Sequence, residues 1–135
     1  MLNIVLLSHG HLASGMKNTI ELIAGRQDNL FTYDAYVDGN NDIKACLLDF
    51  LKIHLNEKVI VITDFLGGSV NNDAIECKNN YDFYLITGMN VLLVLNLVLK
   101  YCNSELDSVI RESIQESQKM ILSLDHSYEI ENEEF

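Results

Sequence analysis

The chain has 135 residues, 48% of them hydrophobic and 21% charged, which is ordinary for one folded domain with a single core. Its net charge of −11 argues against binding to nucleic acid or to an anionic membrane surface, because both require clustered basic residues. The apolar run at 91–99 is too short to cross a bilayer. Three widely spaced cysteines without a CxxC pair predict free thiols and a cytoplasmic protein.

Strand patterns and helix patterns alternate along the chain. The predicted elements, in chain order, are a strand at 2–7, a helix at 14–24, a strand at 30–36, a helix at 42–55, a strand at 58–63, a helix at 70–78, a strand at 81–86 and helices at 90–101 and 104–122. Continuous apolar strands separated by helices are typical of parallel sheets covered on both faces. The sequence therefore predicts a single-domain α/β fold, with an open, mostly parallel sheet of about four strands and helices on both faces.

Two of the predicted strands end in side chains that carry chemistry. His9 follows the first strand, and Asp64 follows the third. The carboxyl ends of parallel strands lie at one edge of a sheet, and open α/β sheets bind their ligands there. We therefore expect an imidazole and a carboxylate to meet at this edge. Gly67 and Gly68 then form a turn, after which Ser69 is expected to cap the next helix.

Three loops at the predicted carboxyl edge form a recognisable set: 8–11 (Ser-His-Gly-His), 64–69 (Asp-Phe-Leu-Gly-Gly-Ser) and 87–90 (Thr-Gly-Met-Asn). The set resembles the enzyme IIA domain of the mannose family of the bacterial sugar phosphotransferase system. That family has a His-Gly pair after strand one, an Asp-x-x-Gly-Gly-Ser stretch after strand three and a Gly-x-Asn stretch after strand four. The resemblance covers roughly residues 1–122. Val70 departs from it, because the family usually has proline there.

The resemblance implies a phosphotransferase component that acts through a phosphohistidine. His9 would accept a phosphoryl group from an HPr-like phosphocarrier and pass it to a IIB protein or domain, indirectly serving a membrane sugar permease. Asp64 would hydrogen-bond the other ring nitrogen, which fixes the tautomer and stabilises positive charge on the ring. Backbone N–H groups of Gly67, Gly68 and Ser69 would bind phosphoryl oxygens. No metal or cofactor is expected, because phosphoryl transfer depends mainly on alignment and charge.

The resemblance also bears on domain organisation and assembly. It implies that residues 1–135 form a single IIA domain with an acidic tail at 123–135, and that the protein is a homodimer. Subunits of such dimers exchange a C-terminal strand, for which residues 127–130 are the candidate and which would add one antiparallel strand. Apolar side chains near the site, together with the acidic surface, would suit HPr as a partner: Leu12, Phe65 and Leu66.

Two other classes of function stay open from the residues. His9 and His11 have the common His-x-His spacing and could form, with Asp64, the metal site of a hydrolase. A histidine phosphatase also has a His-Gly pair after its first strand, but it carries arginine where Ser8 stands here. A third interpretation is a regulatory module in which phosphorylation of His9 changes partner binding.

Overall fold

The computed structural model describes residues 2–39, 42–100 and 105–125. Within these ranges the chain forms four strands and five helices. The strands are β1 Leu2–His9, β2 Leu30–Ala35, β3 Lys58–Thr63 and β4 Tyr84–Thr87. The helices are α1 Leu12–Ala24, α2 Ile43–Ile53, α3 Ser69–Cys77, α4 Val91–Lys100 and α5 Leu106–Lys119. None of the helices in these ranges is long and apolar enough to cross a membrane.

All four strands lie in one parallel sheet with the order β2-β1-β3-β4. This arrangement confirms the predicted α/β fold class and the number of parallel strands. The candidate antiparallel strand at 127–130 and most of the tail at 123–135 lie outside the described residues.

The sheet buries side chains on both faces. Successive residues of a strand point to opposite faces, so the apolar run of β1 feeds two separate core clusters. Ile4 and Leu6 pack with α1, α4 and α5 on one face, and Val5 and Leu7 pack with α2 and α3 on the other. These four side chains are fully buried, and each stabilises the fold by about 1.5–3 kcal/mol. Helices therefore cover both faces, as predicted.

The strand order brings three carboxyl ends side by side. β1 lies between β2 and β3, with Leu7 opposite Thr63 and His9 opposite Ala35. The residues that follow these strands must therefore emerge next to one another. In this way the topology places His9, Asp64 and Tyr36 at one edge of the sheet.

The turn from β1 into α1 is held by a buried serine. Ser8 is fully buried; its hydroxyl accepts a hydrogen bond from the Ala13 amide at 2.7 Å and donates one to the Gly10 carbonyl at 3.2 Å. Gly10 has a φ of +57°, a conformation that glycine adopts at little cost. Because Ser8 satisfies an amide of the first helical turn, α1 begins at Leu12, two residues before the predicted start.

Candidate functional site

His9 and Asp64 form a tight pair at the carboxyl edge. The Oδ2 atom of Asp64 lies 2.7 Å from Nδ1 of His9 and also accepts the backbone N–H of His9 at 2.8 Å. The Asp64 side chain is 7% exposed, whereas that of His9 is 37% exposed. One oxygen thus holds both the backbone and the ring of His9, while part of the ring stays open to solvent. The predicted meeting of an imidazole and a carboxylate is therefore present in the structure.

The pairing also decides where the hydrogens lie. Burial by itself would raise the pKa of Asp64, but hydrogen bonds from the His9 amide, the His9 ring and the Phe65 amide outweigh it, so the pKa lies below its ordinary value. Asp64 is therefore ionised at neutral pH and can only accept hydrogen bonds. The hydrogen of the neutral His9 ring must then reside on Nδ1, and Nε2 carries the free lone pair.

The loop after Asp64 brings a helix N-terminus to the ring. Gly67 has a φ of +84°, and Gly68 takes the N-cap position with an extended backbone. The expectation that Ser69 caps this helix is therefore wrong: Ser69 is the first residue of α3, and its hydroxyl turns to other partners. The backbone N–H groups of this first turn have no acceptor within the helix and carry the positive end of its dipole.

Gly68 is packed directly against the imidazole. A Cβ at this position would lie 3.2 Å from Cε1 of His9, the carbon between the two ring nitrogens, and 2.9 Å from Cζ of Phe65. Contacts this close leave no room for a larger residue unless the two rings shift. Glycine therefore allows the loop backbone to approach His9.

Two aromatic rings flank His9. Phe65 stacks on it with ring centroids 5.3 Å apart, and Tyr36 lies on it with centroids 5.5 Å apart. The Tyr36 hydroxyl lies 2.8 Å from Oγ of Ser69, which in turn lies 3.3 Å from Nε2 of His9. The ring with the free lone pair is thus held by aromatic contacts and reached by one hydroxyl.

Tyr36 is the site residue that the sequence analysis missed. It directly follows β2, and β2 is the neighbour of β1 in the sheet. Its position after a parallel strand indicates that it lies at the same edge of the sheet as His9. That it lies next to His9 depends on the strand order, which the pattern of strands and helices does not specify.

The second histidine of the alternative metal site, His11, pairs with a carboxylate other than Asp64. Nδ1 of His11 lies 3.1 Å from Oδ2 of Asp34, and the same carboxylate accepts hydrogen bonds from the amide and hydroxyl of Ser14. Within 2–39, 42–100 and 105–125, no three His, Cys, Asp or Glu side chains converge as a metal site would require. His11 belongs instead to a network that joins β2 to the start of α1.

The third loop, at 87–90, supports the neighbouring elements. The Thr63 carbonyl accepts the amides of Gly88 and Met89, each at 3.1 Å, which ties the loop to the end of β3. Asn90 accepts the Leu93 amide at 3.0 Å and so caps α4. These contacts make the Gly-x-Asn stretch part of the framework beside the site.

Comparison with known proteins places the chain in a family. The EIIA-man family model, described as PTS system fructose IIA component, matches residues 3–114. Here PTS stands for the phosphotransferase system. Because the match spans most of the chain, the protein belongs to this family of PTS IIA components, which confirms the resemblance noted from the sequence. No protein of curated function matches the chain by sequence.

Solved structures share the fold over nearly the whole chain. A Klebsiella pneumoniae protein assigned as a phosphoenolpyruvate-dependent sugar PTS permease is 28% identical, with a TM-score of 0.86 and 93% of each chain covered. The PTS IIA protein associated with the fucose utilization operon of Streptococcus pneumoniae is 28% identical, with a TM-score of 0.72 and 87% of this chain and 95% of that chain covered. The mannose/sorbose-specific IIA subunit of Enterococcus faecalis has a TM-score of 0.81 over 93% of this chain and 96% of that one; at 21% identity it shows the fold alone.

Proposed function

We propose that this protein is a phosphocarrier that accepts a phosphoryl group on Nε2 of His9. The donor is an HPr-like phosphocarrier, and the acceptor is a IIB protein or domain that serves a membrane sugar permease. The observation that carries the proposal is the 2.7 Å contact between Nδ1 of His9 and Asp64, because it leaves Nε2 as the nucleophilic atom. Membership of the PTS IIA family supports the same assignment.

The transfer step exchanges one phosphorus–nitrogen bond for another. The lone pair on Nε2 of His9 attacks the phosphorus of the donor's phosphohistidine, and the new bond forms as the donor's bond breaks. The bonding pair returns to the donor imidazole. The His9 ring, now substituted on Nε2 and protonated on Nδ1, gains positive charge, and the ionised Asp64 stabilises it. Transfer to the IIB partner is the same step in reverse, with a new acceptor.

Uncharged hydrogen-bond donors, namely backbone N–H groups and a hydroxyl, would bind the phosphoryl oxygens. The backbone N–H groups of Gly67, Gly68 and Ser69 lie at or before the first turn of α3, where amides and the helix dipole favour an anion. The Ser69 hydroxyl, 3.3 Å from Nε2, adds a further donor. Preorganised donors of this kind stabilise charge that develops during the transfer, and they do so without a metal ion.

The surface around His9 fits a protein partner. Three apolar side chains next to the site are about half exposed or more: Leu12, Phe65 and Leu66. Exposed apolar side chains that lie together on a surface are typical of a protein–protein contact site. The net charge of −11 favours a partner with a basic surface. We further propose a single IIA domain over 1–135 that acts in the cytoplasm as a homodimer.

Phosphorylation of the intact protein tests the proposal. The protein is incubated with phosphoenolpyruvate, enzyme I and HPr, and is then measured by intact mass and phosphorus NMR. We expect one acid-labile phosphoryl group on wild type and on the control His11→Ala, and none on His9→Ala. A folded wild-type protein that takes up no phosphoryl group would exclude the phosphocarrier function. Uptake on His9 without onward transfer to any IIB protein would favour the regulatory module instead.

A further inference from the structure

Tyr36 combines an unusual backbone with a directed side chain. Its φ is +64°, which a bulky residue rarely adopts, and such outliers cluster at functional sites. The side chain is half exposed, yet its hydroxyl lies 2.8 Å from Oγ of Ser69 and its ring lies against His9. The strained backbone thus holds a tyrosine hydroxyl at the group that reaches Nε2.

The number of available hydrogens fixes which group donates in the hydrogen bonds that join Tyr36, Ser69 and His9. In the neutral form of the ring, which is the nucleophilic one, Nδ1 of His9 donates to Asp64 and Nε2 can only accept. Ser69 must therefore give its single hydroxyl hydrogen to Nε2. The contact between Ser69 and Tyr36 then has only one arrangement, in which the Tyr36 hydroxyl donates to Oγ of Ser69.

We propose that Tyr36 is a positioning residue that acts through Ser69 on phosphoryl transfer at His9. Its hydroxyl occupies a lone pair of Ser69 and thereby aims the Ser69 hydrogen at Nε2. When Nε2 takes the phosphoryl group, that hydrogen turns to a phosphoryl oxygen, while Tyr36 continues to donate to Ser69. A hydroxyl that accepts one hydrogen bond donates the next more strongly. This role rests on the proposed function of His9.

The first test needs no phosphoryl transfer. Long-range proton–nitrogen NMR of the unphosphorylated protein reports the nitrogen shift of His9 Nε2, which moves downfield when a donor to its lone pair is lost. We expect Tyr36→Phe and Ser69→Ala to move this resonance in the same direction, and the double variant to move it no further than Ser69→Ala alone. The control Tyr81→Phe also removes a tyrosine hydroxyl, but Tyr81 precedes β4, the outer strand on the other side of the sheet from β2. It should leave the resonance unchanged. An unmoved resonance in Tyr36→Phe overturns the proposal.

The second test follows single-turnover transfer from phosphorylated HPr over a range of donor concentrations. Tyr36→Phe should lower the maximal rate about three- to ten-fold and leave the half-saturating concentration unchanged, because it removes one hydrogen bond and no docking surface. In the Ser69→Ala background the same change should have an effect of less than about two-fold. An equal loss in both backgrounds overturns the proposal, since Tyr36 would then act without Ser69. If wild type takes no phosphoryl group, the proposed function fails and so does the role in transfer, whereas the NMR result still decides whether Tyr36 orients Ser69.

Discussion

Replacing Asp64 with asparagine tests the contact that fixes the tautomer of His9. Oδ2 accepts both the backbone N–H and Nδ1 of His9, and Oδ1 accepts the Phe65 amide at 3.0 Å. An amide side chain has one acceptor oxygen, so it cannot replace both. If the oxygen faces His9, the NH2 group meets the Phe65 N–H. If the NH2 group faces His9, Nδ1 must carry the lone pair, and the hydrogen moves to Nε2.

The size of the effect follows from the bonds that change. A hydrogen bond to a charged group contributes about 1.5–3 kcal/mol, and the substitution also removes the charge that balances the phosphorylated ring. We therefore expect Asp64→Asn to raise the activation free energy of transfer by about 2–4 kcal/mol, which is roughly a 30- to 1000-fold loss of rate. Both orientations of the amide lower the rate, the second because it removes the nucleophilic lone pair.

The assay is rapid-quench measurement of phosphoryl uptake from phosphorylated HPr at saturating donor. Phosphorus NMR then identifies the ring nitrogen that is modified. Asp82→Asn is the matched control, because it removes the same charge from an exposed position before β4, at the far edge of the sheet. Uptake by Asp64→Asn within about three-fold of wild type, still on Nε2, would refute the argument that Asp64 fixes the tautomer.

Three further predictions address the loop, the acid response and the docking surface. Gly68→Ala places a Cβ 3.2 Å from Cε1 of His9 and 2.9 Å from Cζ of Phe65, so it should slow transfer about ten-fold. The free energy of unfolding should change by less than about 1 kcal/mol, because the exposed Phe65 ring can move aside and the extended backbone suits alanine. Burial raises the pKa of Asp64, but hydrogen bonds outweigh burial and hold this pKa below 3.8. The contribution of ionised Asp64 to the free energy of unfolding is therefore complete at neutral pH and is lost as the pH falls below that value. In denaturant titrations, the difference in unfolding free energy between wild type and Asp64→Asn should therefore stay constant above about pH 5 and narrow as the pH falls from there to about pH 3. Leu66→Ala should raise the half-saturating concentration of HPr about three- to ten-fold without changing the maximal rate. The control Leu55→Ala, at a similarly exposed leucine just before β3, should leave both values unchanged.

The fold was largely predictable because its strands are continuous apolar runs with helical patterns between them. β3 begins and ends where the pattern predicts, at Lys58–Thr63. The fourth strand is the main difference, since residues 81–86 were expected and Tyr84–Thr87 is found. The Lys78 ammonium donates to the Phe83 carbonyl immediately before this strand. Strand propensity does not report such a side-chain contact at the end of a strand.

The site was predictable as far as it depends on strand ends. His9 and Asp64 follow from two neighbouring parallel strands, and the structure brings them together. Ser69 was correctly placed beside the site, but its expected cap was wrong because Gly68 holds the N-cap and frees the hydroxyl for His9. Tyr36 escaped prediction because its role depends on the order of the strands and on a left-handed backbone that its residue type disfavours.

The nature of the donors fits the proposed transfer of a phosphoryl group through this site better than its retention there. Among the described residues, no lysine or arginine forms an ion pair or hydrogen bond with His9, Asp64 or Ser69; their partners are each other, Phe65 and Tyr36. In the proposed phosphorylated state, the group on Nε2 would be held by neutral N–H and O–H donors, each contributing about 1.5–3 kcal/mol because the phosphoryl acceptor is charged. A cation would bind the dianion more tightly and oppose its release. Neutral donors stabilise the group enough for it to arrive, and they leave it free to move to the next acceptor.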